Sequence, residues 1–499
     1  MTGDAFRQRL DASIVALREL LAREGFGSGA PSIGAELEMC IVGPRGHARG
    51  INEEIRAAVH DRRVTLEVNN FNLELNTDPQ NFTGRVFFAL GEQMFDVLSK
   101  LEREAEKRDS HIVTIGILPT LVEEDLDSHS MTHAHRYEAL SHGLREIRGK
   151  PFHIRISGKD VVELASEDIT LEGANTALQI HLKVDPSRFG DVYDAANLAI
   201  APVLAVSANS PLLLGCDLWS ETRIPLFEQS VDVRHGAAHG SPGRCSLGMD
   251  WVRGGPDVLF QEAVEHYPPL LRELGEEDPV AVVRNGGVPS LSELRLHQST
   301  VWRWNRAVYD PVGDGHCRIE MRALPAGPSM VDMMANLAFL LGLTLGLENE
   351  MERIRESLDF EQVSHNFYSA AQYGATASLA WPGLVGIERL EASELVQRLV
   401  PVAMRGLISC NVDPEEAEEL LAVISERAAR KRTGAFWQRE TLRVYSERMS
   451  RPDALREMLL RYVEYAASGY PVAEWPIADA PWGDSGVARV DIWNSISPK

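Results

Sequence analysis

Four segments of this chain alternate apolar residues with charged or amide residues at a period of two, and the polar set is heavy in carboxylates. Ala35, Leu37 and Met39 alternate with Glu36 and Glu38. Leu73 and Leu75 alternate with Asn72, Glu74 and Asn76, and Glu67 lies seven residues before Glu74. Leu178, Ile180, Leu182 and Val184 alternate with Gln179, His181 and Lys183. Ile319, Met321 and Ala323 alternate with Arg318, Glu320 and Arg322. Period two assigns each set to one face of a strand. Alternation of this kind belongs to antiparallel sheets, whereas doubly wound parallel sheets need continuous apolar runs. The expected class is therefore α+β: a mostly antiparallel sheet with a polar face, backed by helices.

For any one strand, a solvent-facing surface is the simpler account. Four strands resist it, because Glu and Asn are depleted in strands and β-branched residues enriched. Carboxylates clustered on one face repel one another unless cations neutralise them. Mg²⁺ suits oxygen ligands of this type and commonly bridges substrate phosphates. The strand arginines offer planar forks for carboxylate or phosphate. The polar face reads as the floor of a Mg–nucleotide site.

The rest of the sequence bounds this reading. The chain has 499 residues, 44% hydrophobic and 25% charged, enough for a sizeable core. Its net charge of −23 argues against a nucleic-acid partner and against adhesion to anionic membranes, but local arginines and metal ions can reverse the field in one cleft. The five cysteines are scattered, with no C-x-x-C pair. MTGDAFRQRL carries no signal-type apolar core, and a cytoplasmic location is expected. The longest apolar run, Met330–Leu347, is broken by Asp332 and Asn336 and reads as a buried helix.

Along the chain, helical spacing covers residues 4–24, 84–109 and nearly all of 329–469, and residues 187–211 read as a helix running into a loop. Residues 152–164 suggest a hairpin, 111–119 a buried strand, and 212–290 an irregular stretch. The expected organisation is a catalytic unit over 1–350, a helical C-terminal region over 351–469 packed on it, and an extended arm over 470–499.

Several other features carry bland readings. No Walker A motif occurs. Gly25–Ala30 (GFGSGA) matches a dinucleotide fingerprint only formally, since it follows a helix and precedes a strand; it reads as a helix stop. His129, His133 and His135 read as a polar loop or helix entry, not a zinc site. Cys317 reads as a buried structural thiol. Trp302, Trp304 and Tyr309 read as sheet-edge packing, with adenine stacking as the alternative.

Taken in order, these residues resemble the glutamate–cysteine ligase family, in particular its plant and proteobacterial branch and the related carboxylate–amine ligases. The G-x-E-x-E opening is Gly34 to Glu38, and a second acidic strand holds Glu67 and Glu74. An M-x-x-x-R-Y element runs from Met131 to Arg136 and Tyr137, and a Q-containing strand holds Gln179 and His181. Ala208-Asn209-Ser210-Pro211 is followed by Arg223, and the closing E-x-R is Glu320 to Arg322. The resemblance covers about residues 30–350. The chain departs from the plant branch at Asn69, Asn70 and Asn72, where that branch has a Gly-rich turn, and at His181, where it has an asparagine.

The resemblance implies a glutamine-synthetase-like fold and a two-step ligation. ATP phosphorylates the γ-carboxylate of glutamate, and the amine of cysteine displaces phosphate to give γ-glutamylcysteine, a step of glutathione biosynthesis. It implies Glu36, Glu38, Glu67, Glu74, His181 and Glu320 as ligands of Mg²⁺, and Arg322, Arg223 and Glu320 as catalytic groups. Gln179 and Arg322 would bind the nucleotide. The loops at 120–135 and 235–290 become lid candidates, since an acyl phosphate must be kept from water. The alternatives are a ligase joining glutamate to another amine, and a non-catalytic relative that binds amino acid or nucleotide. No oligomeric state follows from the sequence.

Overall fold

The computed structural model describes residues 3–234, 242–383 and 386–481. Its centre is an eight-stranded sheet. In chain order its strands are β1 (Ser32–Val42), β2 (Val64–Leu66), β3 (Asn72–Asn76), β4 (Gln80–Asn81), β5 (His111–Val113), β6 (Ala177–Lys183), β7 (Asn305–Asp310) and β8 (His316–Pro325). The spatial order is β7-β8-β6-β1-β3-β2, with β4 and β5 also pairing β1. Every pairing in this sheet is antiparallel. The α+β class with a mostly antiparallel sheet is as the alternation predicts.

One face of the sheet is the core. Ala35, Leu37, Met39, Leu73, Leu75, Leu178, Ile180, Leu182, Ile319 and Met321 are all buried in a single hydrophobic cluster. Helices Phe189–Ser207 and Met330–Leu347 belong to the same cluster and are apolar almost all round, as helices enclosed on every side must be. Met330–Leu347 packs closely on Ala392–Ser409 because Gly342 and Gly406 remove side chains at the crossing. A Cβ on Gly342 would lie 2.6 Å from the Ala403 carbonyl oxygen. Among the described residues two helices, Pro186–Ser207 and Met330–Ser357, are long and apolar enough to cross a membrane, and both are largely buried inside the protein.

The C-terminal helices grip the sheet domain through buried polar groups. Arg427 pairs with Asp332 at 2.6 Å and donates to Asn336 Oδ1 at 2.5 Å. Asp332 also accepts from the backbone of Val472 at 2.9 Å, which ties down the segment after the last helix. Trp437, Tyr462, Tyr465 and Trp475 form an edge-to-face aromatic cluster. The stretch read as an extended arm thus begins with a buried Trp475. Its residues 482–499 lie outside the described residues.

The sequence reading missed order in 212–290. Helices Arg223–Ser230, Pro256–His266 and Pro279–Arg284 form there, followed by Ser292–Gln298. Two begin with proline at the first helical position, where its missing N–H costs nothing; that signal was taken as loop punctuation. Part of the expected lid, 235–241, lies outside the described residues. The expected strand 111–119 is regular only over His111–Val113, although Ile115, Ile117 and Leu118 are buried beyond it. The hairpin forms as Phe152–Ser157 with Val161–Ser166. The helix stop at 25–31 is confirmed by positive φ at Gly25, Gly27 and Gly29. At Gly27 a Cβ would also stand 3.1 Å from the Pro186 ring.

Candidate active site

The second face of the sheet collects the polar residues in cross-strand rows. Thr65 pairs Glu74, and Glu74 pairs Glu38. Asn76 pairs Glu36, and Glu36 pairs Gln179. Gly34 pairs His181, His181 pairs Glu320, and Glu320 pairs Arg306. Register therefore brings Glu36, Glu38, Glu74, Gln179, His181 and Glu320 onto one floor. Glu67 joins it from the end of β2.

Arg322 shares this floor with Glu320 by the period of two, and an irregularity follows it. Pairing of β8 with β6 runs Met321 to Ile180 and then Leu324 to Leu178, so one extra residue is inserted. Arg322 Nε lies 3.0 Å from Gln179 Oε1 and 3.1 Å from Glu320 Oε1. Gln179 Nε2 in turn donates to Glu38 Oε1 at 2.8 Å, and Glu38 Oε2 accepts from the Ala177 backbone at 2.7 Å. A polar chain thus runs from Glu320 through Arg322 and Gln179 to Glu38.

The floor has two electrostatic halves. Around Glu320 the acids are matched. Burial alone would raise the Glu320 pKa, but Arg306, Arg322 and His181 hold it down at about 2. Arg306 grips that carboxylate with two nitrogens at 2.7–3.0 Å. Glu36 is likewise kept low, against burial, by His181. His181 is fixed in one tautomer. Arg318 Nε, a donor only, sits 3.1 Å from Nδ1, so the proton is on Nε2, which donates to Glu36 Oε1 at 2.8 Å. A cation can enter between His181 and Glu36 only by replacing that proton. Arg318 also pairs with Asp310 at 2.5 Å.

Around Glu38 the acids are unmatched. Burial, reinforced by Glu74, pushes Glu38 up to about 8, despite Arg223. Burial with Glu74 and Glu38 pushes Glu67 well up, and burial with Glu36 raises Glu74. Burial also lifts Glu172 to about 7. Glu74 is bonded by Thr65 at 2.9 Å and Asn76 at 2.6 Å, neither of them charged. Low-polarity surroundings and like charges disfavour ionisation together. Among the described residues no three His, Cys, Asp or Glu side chains are already arranged around a metal position. The donor chemistry nevertheless fits a hard divalent cation, because Glu38, Glu67 and Glu74 carry carboxylate oxygens that no guanidinium or ammonium occupies.

Arg223 is buried and mostly committed to structure. Its Nη1 meets Glu221 at 3.2 Å and the Ala323 carbonyl at 3.1 Å, the latter beside the strand irregularity. Glu221 is held by the Ser210 hydroxyl at 2.6 Å and the Asn209 backbone at 2.8 Å. Asn209 is held by Tyr462 and Gln438 of the C-terminal helices at 2.8–3.0 Å. Arg223 Nε has no partner among the described residues. A cavity of about 30 Å³, room for a water or two, lies between Arg223, Arg322, Glu38, Glu67 and Glu172 and is walled by Phe227, Trp302 and Trp304.

Comparison with known proteins now decides the family. The model of glutamate-cysteine ligase family 2 (GCS2) matches residues 32–459. The chain belongs to that family. Comparison with curated proteins finds no match. Among solved structures, the chain is similar to a glutamate–cysteine ligase from Francisella tularensis in complex with AMP. The TM-score is 0.56 and the identity 10%, over 90% of this chain and 91% of that one, so the two share the fold. It is also similar to a bifunctional glutathione synthetase from Pasteurella multocida, with a TM-score of 0.47, 13% identity, and coverage of 92% and 55%.

As a GCS2 protein, the chain has a site that sequence reasoning found only in part. Glu172, Arg306, Phe227 and Cys245 were not singled out. Glu172 sits in a turn without alternation, and Arg306 carries no signal apart from its cross-strand partner. Glu228 was also missed: burial lifts it to about 7, while it accepts from Trp304 Nε1 at 2.8 Å and Tyr368 Oη at 2.9 Å. Trp304 therefore packs beside the site cavity, not merely at a sheet edge. Tyr309 does sit at the sheet edge, buried and donating to the Pro289 carbonyl at 2.7 Å. Arg136 and Tyr137 both donate to the Leu66 carbonyl at 2.6 Å, next to Glu67. Cys317 is buried as expected, and burial pushes its thiol to about 12.

Proposed function

We propose that this protein joins the γ-carboxylate of glutamate to the amine of cysteine at the expense of ATP. The observation that carries the reading is the division of one sheet face into an unmatched carboxylate cluster and a row of guanidinium groups. A phosphoryl transfer needs both. The polyphosphate must be neutralised, and the group in transfer must be held by donors that are already aligned.

The carboxylate oxygen of glutamate attacks the γ-phosphorus of ATP, the bond to the bridging oxygen breaks, and ADP leaves. The amine of the acceptor then attacks the acyl carbon. The carbon–oxygen bond to phosphate breaks, inorganic phosphate departs, and the amine loses a proton as the amide forms. Glu38, Glu67 and Glu74 would hold Mg²⁺, with Glu36, His181 and Glu320 as the second candidate group. Bound there, Mg²⁺ supplies charge neutralisation for the polyphosphate. Arg322 is oriented by Gln179 and Glu320 toward the group in transfer. Arg306 and Arg318 extend positive charge past Glu320 for the rest of the nucleotide tail. Arg223, with an unpartnered Nε at the cavity, is suited to a substrate carboxylate.

The test is phosphate release by purified protein with ATP, Mg²⁺ and glutamate, with cysteine, other amino acids or simple amines as acceptor. The expected result is glutamate-dependent release that is strongest with cysteine, with γ-glutamylcysteine seen by mass. Release that is strongest with another amine replaces the acceptor and keeps the chemistry. Nucleotide binding without turnover on any acceptor overturns the catalytic reading.

A further inference from the structure

The N-terminal helix Gly3–Leu21 precedes the segment matched by the family model, yet a continuous series of contacts connects it to the polar face. Arg9 Nε donates to Glu293 Oε1 at 2.9 Å, and Arg9 also donates to the carbonyls of Gly275 and Glu277. Glu293 is buried and accepts from the Gly275 backbone as well, at 3.0 Å. Glu293 stands in the first turn of helix Ser292–Gln298. At the far end of that helix the Gln298 carbonyl accepts from Arg306 Nη1 at 3.3 Å, and Arg306 grips Glu320. Between these anchors lies Arg295, an exposed guanidinium with no ion pair or hydrogen bond of its own among the described residues.

Arg295 does not face empty surface. With Arg306, Arg318, Gln298, Tyr309 and Phe260 it lines a cavity of about 200 Å³ along the edge strand β7, whose Arg306 pairs Glu320 across to β8. Clefts for whole ligands run to about 300–1,000 Å³, so this one suits the tail of a ligand. Three arginines converge there; Arg306 is paired with Glu320 and Arg318 with Asp310, the one acid among the lining residues.

We infer that Arg295 is a further ligand for the phosphate tail of the nucleotide, and that Arg9, through Glu293, is the residue that positions it. This rests on the ATP-dependent reading given above. Two of the three guanidinium groups come from strands and are already tied to acids. Arg295 comes from a helix that is held from behind by the N-terminal helix, and its charge is not committed to the protein. It therefore contributes to nucleotide affinity and salt dependence, without touching glutamate.

The experiment is calorimetric titration of the full chain with ATP in the presence of Mg²⁺, at several salt concentrations, alongside steady-state kinetics. Arg295→Ala is expected to weaken ATP binding about tenfold, the size of one charge-assisted hydrogen bond at a partly solvated site. It should also flatten the dependence of affinity on salt, and leave the KM for glutamate unchanged. Arg9→Ala should raise the KM for ATP with kcat unchanged at saturation, and the double variant should be no weaker than Arg295→Ala alone. Unchanged ATP affinity in Arg295→Ala overturns the inference. Additive losses in the double variant overturn the positioning role of Arg9. A wild-type chain that binds no ATP overturns the parent reading, and the inference falls with it.

Discussion

Glu38 and Glu74 stand directly opposite each other on β1 and β3, and among the described residues neither forms an ion pair. Each has a raised pKa, and they share a neighbour, Glu67, that burial and these two carboxylates also push up. Unpaired buried carboxylates are costly, so this half of the site is built for a charge that the chain itself does not provide.

The cost has a definite dependence on pH. An unfolded glutamate titrates near about 4.3. Folded Glu38 titrates at about 8 and folded Glu172 at about 7. Between those limits the folded state retains protons that the unfolded state has released, so stability falls as pH rises. The metal-free protein is expected to melt at a lower temperature at pH 8 than at pH 6, and Mg²⁺ should shrink that difference. Scanning calorimetry in EDTA and in Mg²⁺ checks this; an identical decline in both would count against a cation at this cluster.

Replacing one of the opposed acids separates stability from activity. Glu74→Gln keeps the size of the side chain and its Asn76 and Thr65 neighbours but removes a like charge. We expect the metal-free variant to melt a few degrees higher than wild type at pH 8, to gain less from Mg²⁺, and to lose ligase activity. Thermal melts and phosphate release measure the two effects.

The matched half behaves in the opposite sense. Glu320 is held at about 2 by Arg306 and Arg322 against its burial. Its contribution is fully present above the unfolded value and is lost as pH falls toward about 2. Glu320→Gln strands two guanidinium groups in a buried setting and should cost about 3 kcal/mol in urea denaturation at neutral pH.

Arg322→Lys tests the bridge across the irregular strand. Arg322 meets both Gln179 and Glu320 through Nε, which leaves its two Nη groups for substrate, whereas a lysine keeps the charge but has one nitrogen for both tasks. We expect kcat to fall on the order of 10²-fold, the loss typical of one preorganised donor, with a smaller change in the KM for glutamate. Steady-state kinetics decide; an equal loss confined to KM would assign Arg322 to ground-state binding.

Behind the site, Glu221→Ala removes the carboxylate that fixes Arg223. Both groups are fully enclosed, so the variant should lose about 3 kcal/mol of stability and bind glutamate more weakly. Denaturation and the KM for glutamate provide the check.

The contrast between what the sequence disclosed and what it hid is physical. Strand alternation is local, so Glu36, Glu38, Glu74, Gln179, His181 and Glu320 could be assigned to one face before any pairing was known. The partition of that face into matched and unmatched halves was not legible, because it depends on register: Arg306 opposite Glu320, Glu74 opposite Glu38. Arg223 was expected at the substrate, and its anchor Glu221, two residues earlier, gave no pattern to read. Glu172 contributes from a turn, and Arg295 from a helix of seven residues in a stretch, 291–323, that reads as strands.

The extra residue in β8 makes the length of that strand, and not only its composition, part of the chemistry. Met321 pairs Ile180 and Leu324 pairs Leu178, so Arg322 faces Gln179 by the register of the residues before it, and the inserted Ala323 leaves its carbonyl free for Arg223. Deleting Ala323, a residue with no functional group, would restore regular pairing with Arg322 still opposite Gln179 and Leu324 still opposite Leu178. What would go is the carbonyl support of Arg223. A relative that had dropped this single alanine could keep every charged side chain on the floor and still be silent.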